Sequence, residues 1–369
     1  MSPEGLNADV YIPSKFPSGE IITAIGSSFC SDLRLGRVVI DDDICNIEPE
    51  AFDGVFALEI VWPKSANMIP YGCFARATVR KLTNIGHVVD IGHTAFFACN
   101  IKNIEWPSAC KVIPRDCFKY SFLEEITNIQ DVKIIEESAF ESCSDLKAFT
   151  WPAKCKKIPK SCFRQSNIGL LSGIDDVEKI GGGAFSDTHS VSSFAWPKKC
   201  KVIPDCCFAF ADIASITGIE GVEEIGSCAF YNCKNLTEFA WPEHCHTIPM
   251  QCFSSSGLCS ISGIDNVEII DNLAFSKTLI KEFVWPSACS TIPVGCFDEG
   301  QLKSISNIAH VKEIKMAAFS DVSPYFKIDL SQNLSMTIER GAFSSLSACA
   351  VTFPYYISDE VEENAFCRI

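Results

Sequence analysis

No stretch of this chain approaches the run of about 18 apolar residues that a transmembrane helix needs. Basic residues are in deficit. Lys and Arg number 31 against 46 Asp and Glu, and the net charge is −15. A surface of that sign repels phosphate backbones and anionic headgroups, which argues against nucleic acid or acidic membrane as the main partner. There are 21 cysteines but no C-x-x-C pair, so the commonest zinc spacing is missing. No Ser-His-Asp or Cys-His arrangement recurs, and no Gly-rich phosphate loop follows a strand pattern. The sequence therefore offers no catalytic, cofactor-binding or metal-ligating residues, and an enzyme is not expected. His244 and His246 flank Cys245 and should face solvent, where such a pair holds a metal only opportunistically. The first twenty residues lack the basic and apolar regions of a leader peptide, although a chain that began after a removed leader would look the same.

What is present is periodicity. Hydrophobic residues make up 47% of the chain, ample for a core. A Phe recurs at 29, 52, 74, 96, 118, 140, 163, 185, 208, 230, 253, 275, 297, 319, 343 and 366. The spacing is 22 or 23 residues with one of 24, which gives sixteen coils inside the leucine-rich-repeat range. Two kinds of coil alternate. One reads "WPSACKVIPRDCF" (106–118), "WPKKCKVIPDCCF" (196–208) or "WPEHCHTIPMQCF" (241–253). The other reads "NIQDVKIIEESAF" (128–140) or "GIEGVEEIGSCAF" (218–230).

Aligning the coils on Phe shows what the cysteines are for. Cys110, Cys155, Cys200, Cys245 and Cys289 stand where Val132, Val177, Val222, Val267 and Val311 stand in the alternate coils. Cys73, Cys117, Cys162, Cys207, Cys252 and Cys296 stand where Ala95, Ala139, Ala184, Ala229 and Ala274 stand. Cysteine thus substitutes for a small apolar residue in two core columns. Thiols of one column lie two coils apart, roughly 9–10 Å at the strand spacing, too far for a disulfide. Cross-coil pairs between different columns stay open, but buried free thiols are the expectation.

Before each Trp or Asn/Gly lies a short strand pattern, as in "LKAFTW" (146–151) and "LEEITN" (123–128). One parallel strand per coil is expected, together forming a curved sheet. The few polar residues after each Phe predict turns or 3₁₀ pieces on the outer side. With "AFESCSDLKAFTWP" (139–152) and "AFYNCKNLTEFAWP" (229–242) in view, the chain resembles the BspA-like leucine-rich-repeat family, in a cysteine-rich W-P-x-x-C variant. The resemblance covers residues 12–366. It implies a leucine-rich-repeat solenoid, a surface or secreted location, and adhesion to a matrix or host protein. It implies no catalytic residue. The expected layout is one solenoid over 1–369, with a cap coil at about 12–29, regular coils over 30–319 and irregular coils over 320–369. After Phe366 only "CRI" remains, so the thinly capped C-terminal coil invites end-to-end self-association or means that the native chain continues.

Two features bear on partners. Trp62, Trp106, Trp151, Trp196, Trp241 and Trp285 alternate with Asn84, Asn128, Gly173, Gly218, Gly263 and Asn307. Large beside small reads as interior interdigitation; an exposed ladder suited to glycan stacking is the alternative. On the sheet face, outward positions are small and uncharged over three coils: Gly169, Leu170, Ser172, Ser192, Ser193, Ala195, Ala214, Ser215 and Thr217. Such a patch suits a protein partner. The function expected is a non-enzymatic, adhesin-like binding protein at the cell surface. The alternative is an intracellular scaffold with reduced core cysteines, suggested by the free thiols and the missing leader.

Overall fold

The structure, a computed structural model, describes residues 8–333, 336–346, 350–355 and 364–366. The chain falls into two compact units, Met1–Ser190 and Val191–Ile369, described here in turn. In the first, Val10–Ile12, Arg34–Ile40 and Phe56–Val61 pair side by side, followed by Thr78–Val79 and Leu82–Thr83, all in parallel. The strands then shorten to three residues. Asn103–Glu105 pairs with Glu125–Thr127, and Ala148–Thr150 with Leu170–Ser172. In the second unit Ser193–Ala195 pairs with Ser215–Thr217, Glu238–Ala240 with Ser260–Ser262, and Glu282–Val284 with Ser304–Ser306. Each partner lies one repeat further along the chain. Both units are parallel-strand solenoids of the leucine-rich-repeat kind.

The coil carries a second strand that the sequence pattern does not announce. Five residues before each column Phe from Phe52 to Phe343 sits an Ile, and with the residue before it this Ile forms a two-residue strand. Val112–Ile113 pairs with Ile134–Ile135, and Val202–Ile203 with Glu224–Ile225. The Ile points in: Ile113, Ile158, Ile203, Ile248 and Ile292 are all fully buried. The outer side is built of turns, one of the two forms expected there. Two residues before and two after each Phe from Phe52 to Phe343 take left-handed backbone: Asp116 (φ 53°) and Tyr120 (φ 62°) around Phe118, Cys228 (φ 56°) and Asn232 (φ 58°) around Phe230. These bends turn the chain around the core. They recur with almost any residue type, because stacked neighbours hold them: the amides of Asp116 and Tyr120 donate to the carbonyls of Glu137 and Glu141 on the next coil.

The core is a set of columns. In the first unit Phe52, Phe74, Phe96, Phe118, Phe140, Phe163 and Phe185 stack ring on ring, with centroids 5.2 to 5.9 Å apart. Phe208 through Phe343 do the same in the second. Phe29 departs from the column. It is half exposed, and Cys30 is buried instead. The strand pairing explains this: Ile25 faces Ile47, a step of 22 residues, which puts Cys30 and not Phe29 in register with Phe52. At the other end the strand Thr337–Ile338 pairs with Glu313–Ile314, and the longer 24-residue step loops out to include Asn333. Its buried side chain donates to the carbonyls of Ile308 and Val311. Residues 367–369, and with them the expectation of end-to-end association, lie outside the described residues.

All six indoles are buried, so the tryptophans are core and form no exposed ladder. Each indole N–H donates to the carbonyl four residues on: Trp151 to Cys155 at 2.8 Å, Trp241 to Cys245 at 2.8 Å, Trp62 to Ala66 at 2.9 Å. The proline after Trp starts the same turn, its carbonyl accepting from the cysteine amide, as between Pro152 and Cys155 at 2.8 Å. The second proline repeats the device, Pro159 closing on Cys162. Both P-x-x-C spacings are thus turn chemistry.

The Asn/Gly alternation has a different cause from the one interdigitation suggested. Asn84, Asn128 and Asn307 sit at φ 59 to 62°, and Gly173, Gly218 and Gly263 at φ 74 to 76°. Left-handed backbone favours just these two residues. Each Asn amide donates to the carbonyl of the preceding Trp, at 2.6 Å for Asn84 and 2.8 Å for Asn128 and Asn307. A Cβ on Gly263 would lie 2.8 Å from the Trp241 carbonyl oxygen. Gly263→Val should therefore destabilise by about 1–3 kcal/mol. Gly263→Asn brings the same Cβ but should lose clearly less, because Asn84, Asn128 and Asn307 hold this position with a side-chain bond to the Trp carbonyl. Paired urea titrations check this; equal losses for both variants would contradict it.

Candidate interaction face

The three-residue strands hold their middle residue in and their flanking residues out. Phe149, Phe194, Phe239 and Phe283 are buried, and each packs edge-on against the Phe that closes its coil, 5.0 to 5.5 Å between centroids. The flanking positions are forced outward by strand alternation. All nine residues singled out on the sequence are exposed. Gly169, Leu170 and Ser172 lie in the Met1–Ser190 unit. Leu170 is 63% exposed, and Ser172 shares a 3.1 Å hydroxyl contact with Thr150 on the paired strand. Ser192, Ser193, Ala195, Ala214, Ser215 and Thr217 lie in the Val191–Ile369 unit. There Ser193 faces Ser215 and Ala195 faces Thr217.

The patch extends beyond Thr217. In the second unit the last strand position runs Ala195, Thr217, Ala240, Ser262, Val284 and Ser306, every one exposed. The column is small and uncharged over six coils, with Val284 standing 65% exposed in it. The signal was present as the residue before each Trp or Gly/Asn, but Glu238 and Glu282 at the first strand position masked it. Two shallow grooves follow this column. One, of about 570 Å³, is lined by Ser215, Thr217, Glu238 and Ala240; the other, of about 310 Å³, by Ser260, Ser262, Glu282 and Val284.

The face of the first unit is different. Arg37 pairs with Glu59 at 2.7 Å, and Lys102 with Glu124 at 2.7 Å and Asp145 at 3.0 Å. On the lateral turns Lys154 pairs with Asp131, and Lys156 with Asp176 at 3.6 Å. Exposed pairs of this kind set register more than they stabilise. His244 and His246 are both exposed, and the His246 ring lies 3.0 Å from the Asn266 carbonyl.

Nineteen cysteines are described, all free, and fifteen of them are buried. Burial disfavours the thiolate. It raises Cys143 and Cys233 to about 12, Cys155 and Cys289 to about 11, and Cys117, Cys162, Cys207 and Cys252 well above the ordinary thiol range. These thiols are packing groups with little nucleophilic character.

A family model described as a BspA type leucine rich repeat region, in six copies, matches residues 45–170, 178–303 and 290–369. The chain belongs to the BspA-type leucine-rich-repeat family. No curated protein matches it. Among solved structures, the BspA-type chain is similar to a leucine-rich repeat protein from Bacteroides ovatus, with 20% identity, a TM-score of 0.70 and coverage of 88% of each chain. That likeness is one of fold. A weaker one, at 17% identity and TM-score 0.47, is to a leucine rich cell surface protein from Faecalibacterium prausnitzii, covering 98% of this chain and 92% of that one. Among the described residues, no helix of the BspA-type chain is long and apolar enough to cross a membrane.

Proposed function

We propose that this protein is a non-enzymatic binding repeat and that the sheet face of its Val191–Ile369 unit carries a protein partner. The observation behind this reading is the six-coil column Ala195, Thr217, Ala240, Ser262, Val284 and Ser306. Small uncharged side chains let a partner approach the strands closely, and neither partner has to strip water from a charge. Ser192, Ser193, Ala214 and Ser215 border the column. Gly169, Leu170 and Ser172 give the other unit a shorter patch of the same kind. A protein is favoured over a glycan, since the indoles that would stack on sugar rings are buried.

An adhesin-like role outside the cell accords with the family. The intracellular scaffold remains the second reading, favoured by fifteen buried free thiols, which an oxidising compartment seldom leaves unpaired. Protease shaving of intact source cells separates the two: an accessible chain supports the adhesin, a protected one the scaffold. The face itself is tested by capture from host and source-cell extracts with wild type, Ala195→Arg and Val284→Arg. A guanidinium forced into a closed interface should weaken capture by at least about tenfold. Arg at the outer-turn residue Asn232 should leave capture intact. Capture indifferent to all three substitutions would rule out the face.

A further inference from the structure

We propose that Cys206 and Cys228 form an oxidisable pair, a disulfide site that ties two neighbouring coils of the Val191–Ile369 unit. They lie 22 residues apart, and no other cysteines in the chain are separated by a single repeat of 22 or 23. Each stands two residues before its Phe, and Phe208 stacks on Phe230 with centroids 5.8 Å apart. Each stands three residues after its buried Ile, and Ile203 pairs in register with Ile225. The Cys206 amide donates to Ser227 at 2.9 Å, and the Phe208 amide to Ala229 at 2.9 Å, so the coils are bonded on both sides of the pair. Both residues are left-handed, at φ 53° and 56°, so their side chains leave the backbone in the same direction. Stacking at strand spacing puts the Cα atoms about 4.8 Å apart, inside the disulfide range of about 4.4–6.8 Å.

Accessibility separates this pair from the core thiols. Cys206 is exposed and Cys228 half-buried, whereas Cys207 and Cys233 beside them are sealed. The Cys228 thiol is raised to about 11, by partial burial first and then by the neighbouring Cys206. Cys206, the more exposed of the two, is the attacking group and Cys228 the resolving one. With a small-molecule disulfide such as oxidised glutathione as oxidant, the Cys206 thiolate attacks one sulfur, the oxidant's S–S bond breaks, and one thiolate leaves. The Cys228 thiolate then attacks Cys206 Sγ, forming the protein S–S bond and expelling the second. Two electrons pass to the oxidant, and the protons from the two cysteines end on the two released thiols.

The test treats the reduced, folded full chain with oxidised glutathione and then blocks remaining thiols with N-ethylmaleimide. Trypsin leaves all four nearby cysteines between Lys201 and Lys234, so digestion uses a Glu-specific protease, which cuts at Glu220, Glu223 and Glu224. The expected product is a Cys206–Cys228 linked peptide pair, two hydrogens lighter than its reduced parts. It should persist in Cys207→Ala, since Ala fills that column in alternate coils. Cys228→Ser should instead retain glutathione on Cys206. Cys206→Ser should lose both products and still fold, because Ser138 and Ser161 hold the equivalent left-handed position (φ 56° and 53°). Glutathione left on Cys206 in the wild type, a link through Cys207 or Cys233, or an unreacted pair would overturn the proposal.

Discussion

Raising the pH from about 8 to about 10 should destabilise this protein steeply, by about 1.4 kcal/mol per pH unit for each sealed thiol. The unfolded chain ionises its cysteines near pH 8.5. The folded chain keeps them protonated, since burial holds Cys143 and Cys233 near 12 and Cys117, Cys162, Cys207 and Cys252 well above the normal range. Above the unfolded value the native state binds more protons than the unfolded one. Its stability is then whole below about pH 8.5 and declines until the native thiols themselves ionise. Many thiols act together, so the slope should be several times that of a one-cysteine protein. Urea midpoints taken across this range measure it. Cys117→Ala and Cys252→Ala provide the control, because alanine already fills that column at Ala95, Ala139 and Ala274, all fully buried. Each substitution should flatten the slope by one thiol's share. A slope that stays put in the double variant would mean that the alkaline loss has another origin.

Phe230→Ala should cost about 3–5 kcal/mol. The ring is fully buried, 5.8 Å from Phe208, 5.6 Å from Phe253 and 4.9 Å from Phe239. Removing it opens a void shared by three coils. A solenoid holds together through neighbour contacts, so a defect at an inner coil weakens two interfaces at once. Phe210→Ala, only two residues from the column, supplies the comparison. Phe210 is half exposed and meets Tyr231 edge-on at 5.2 Å, so its loss should stay near 1 kcal/mol. Comparable losses for both would mean that the stacked column is not where the stability resides.

How much of this was legible in the sequence depends on how far each signal extends along the chain. The Phe, Cys/Val and Cys/Ala columns were legible because burial constrains the same position in every coil. The second strand was not, because two residues are too few to show alternation. The left-handed bends on either side of Phe were invisible for the opposite reason. Ser, Asp, Cys, Gln and Leu all occupy them, held by neighbouring coils instead of by local preference. Asn128 and Gly173 were noticed and misread: they looked like gaps for an indole and are backbone requirements. Phe29 matched the spacing yet sits outside, since Ile25 pairs with Ile47 and that register gives the column place to Cys30. The interaction patch was legible in part. Its orientation followed from alternation, but Glu238 and Glu282 hid its continuation to Ser306.

The bond from Asn128 to the Trp106 carbonyl also limits how such a chain can change length. A Trp coil is completed by an Asn or Gly coil laid against it, and successive tryptophans are 44 or 45 residues apart. Removing a single coil would set two tryptophan turns side by side, each meeting the other's carbonyl where a left-handed Asn or Gly is required. Viable longer or shorter forms should therefore differ by whole pairs, with the doublet as the unit of insertion and deletion.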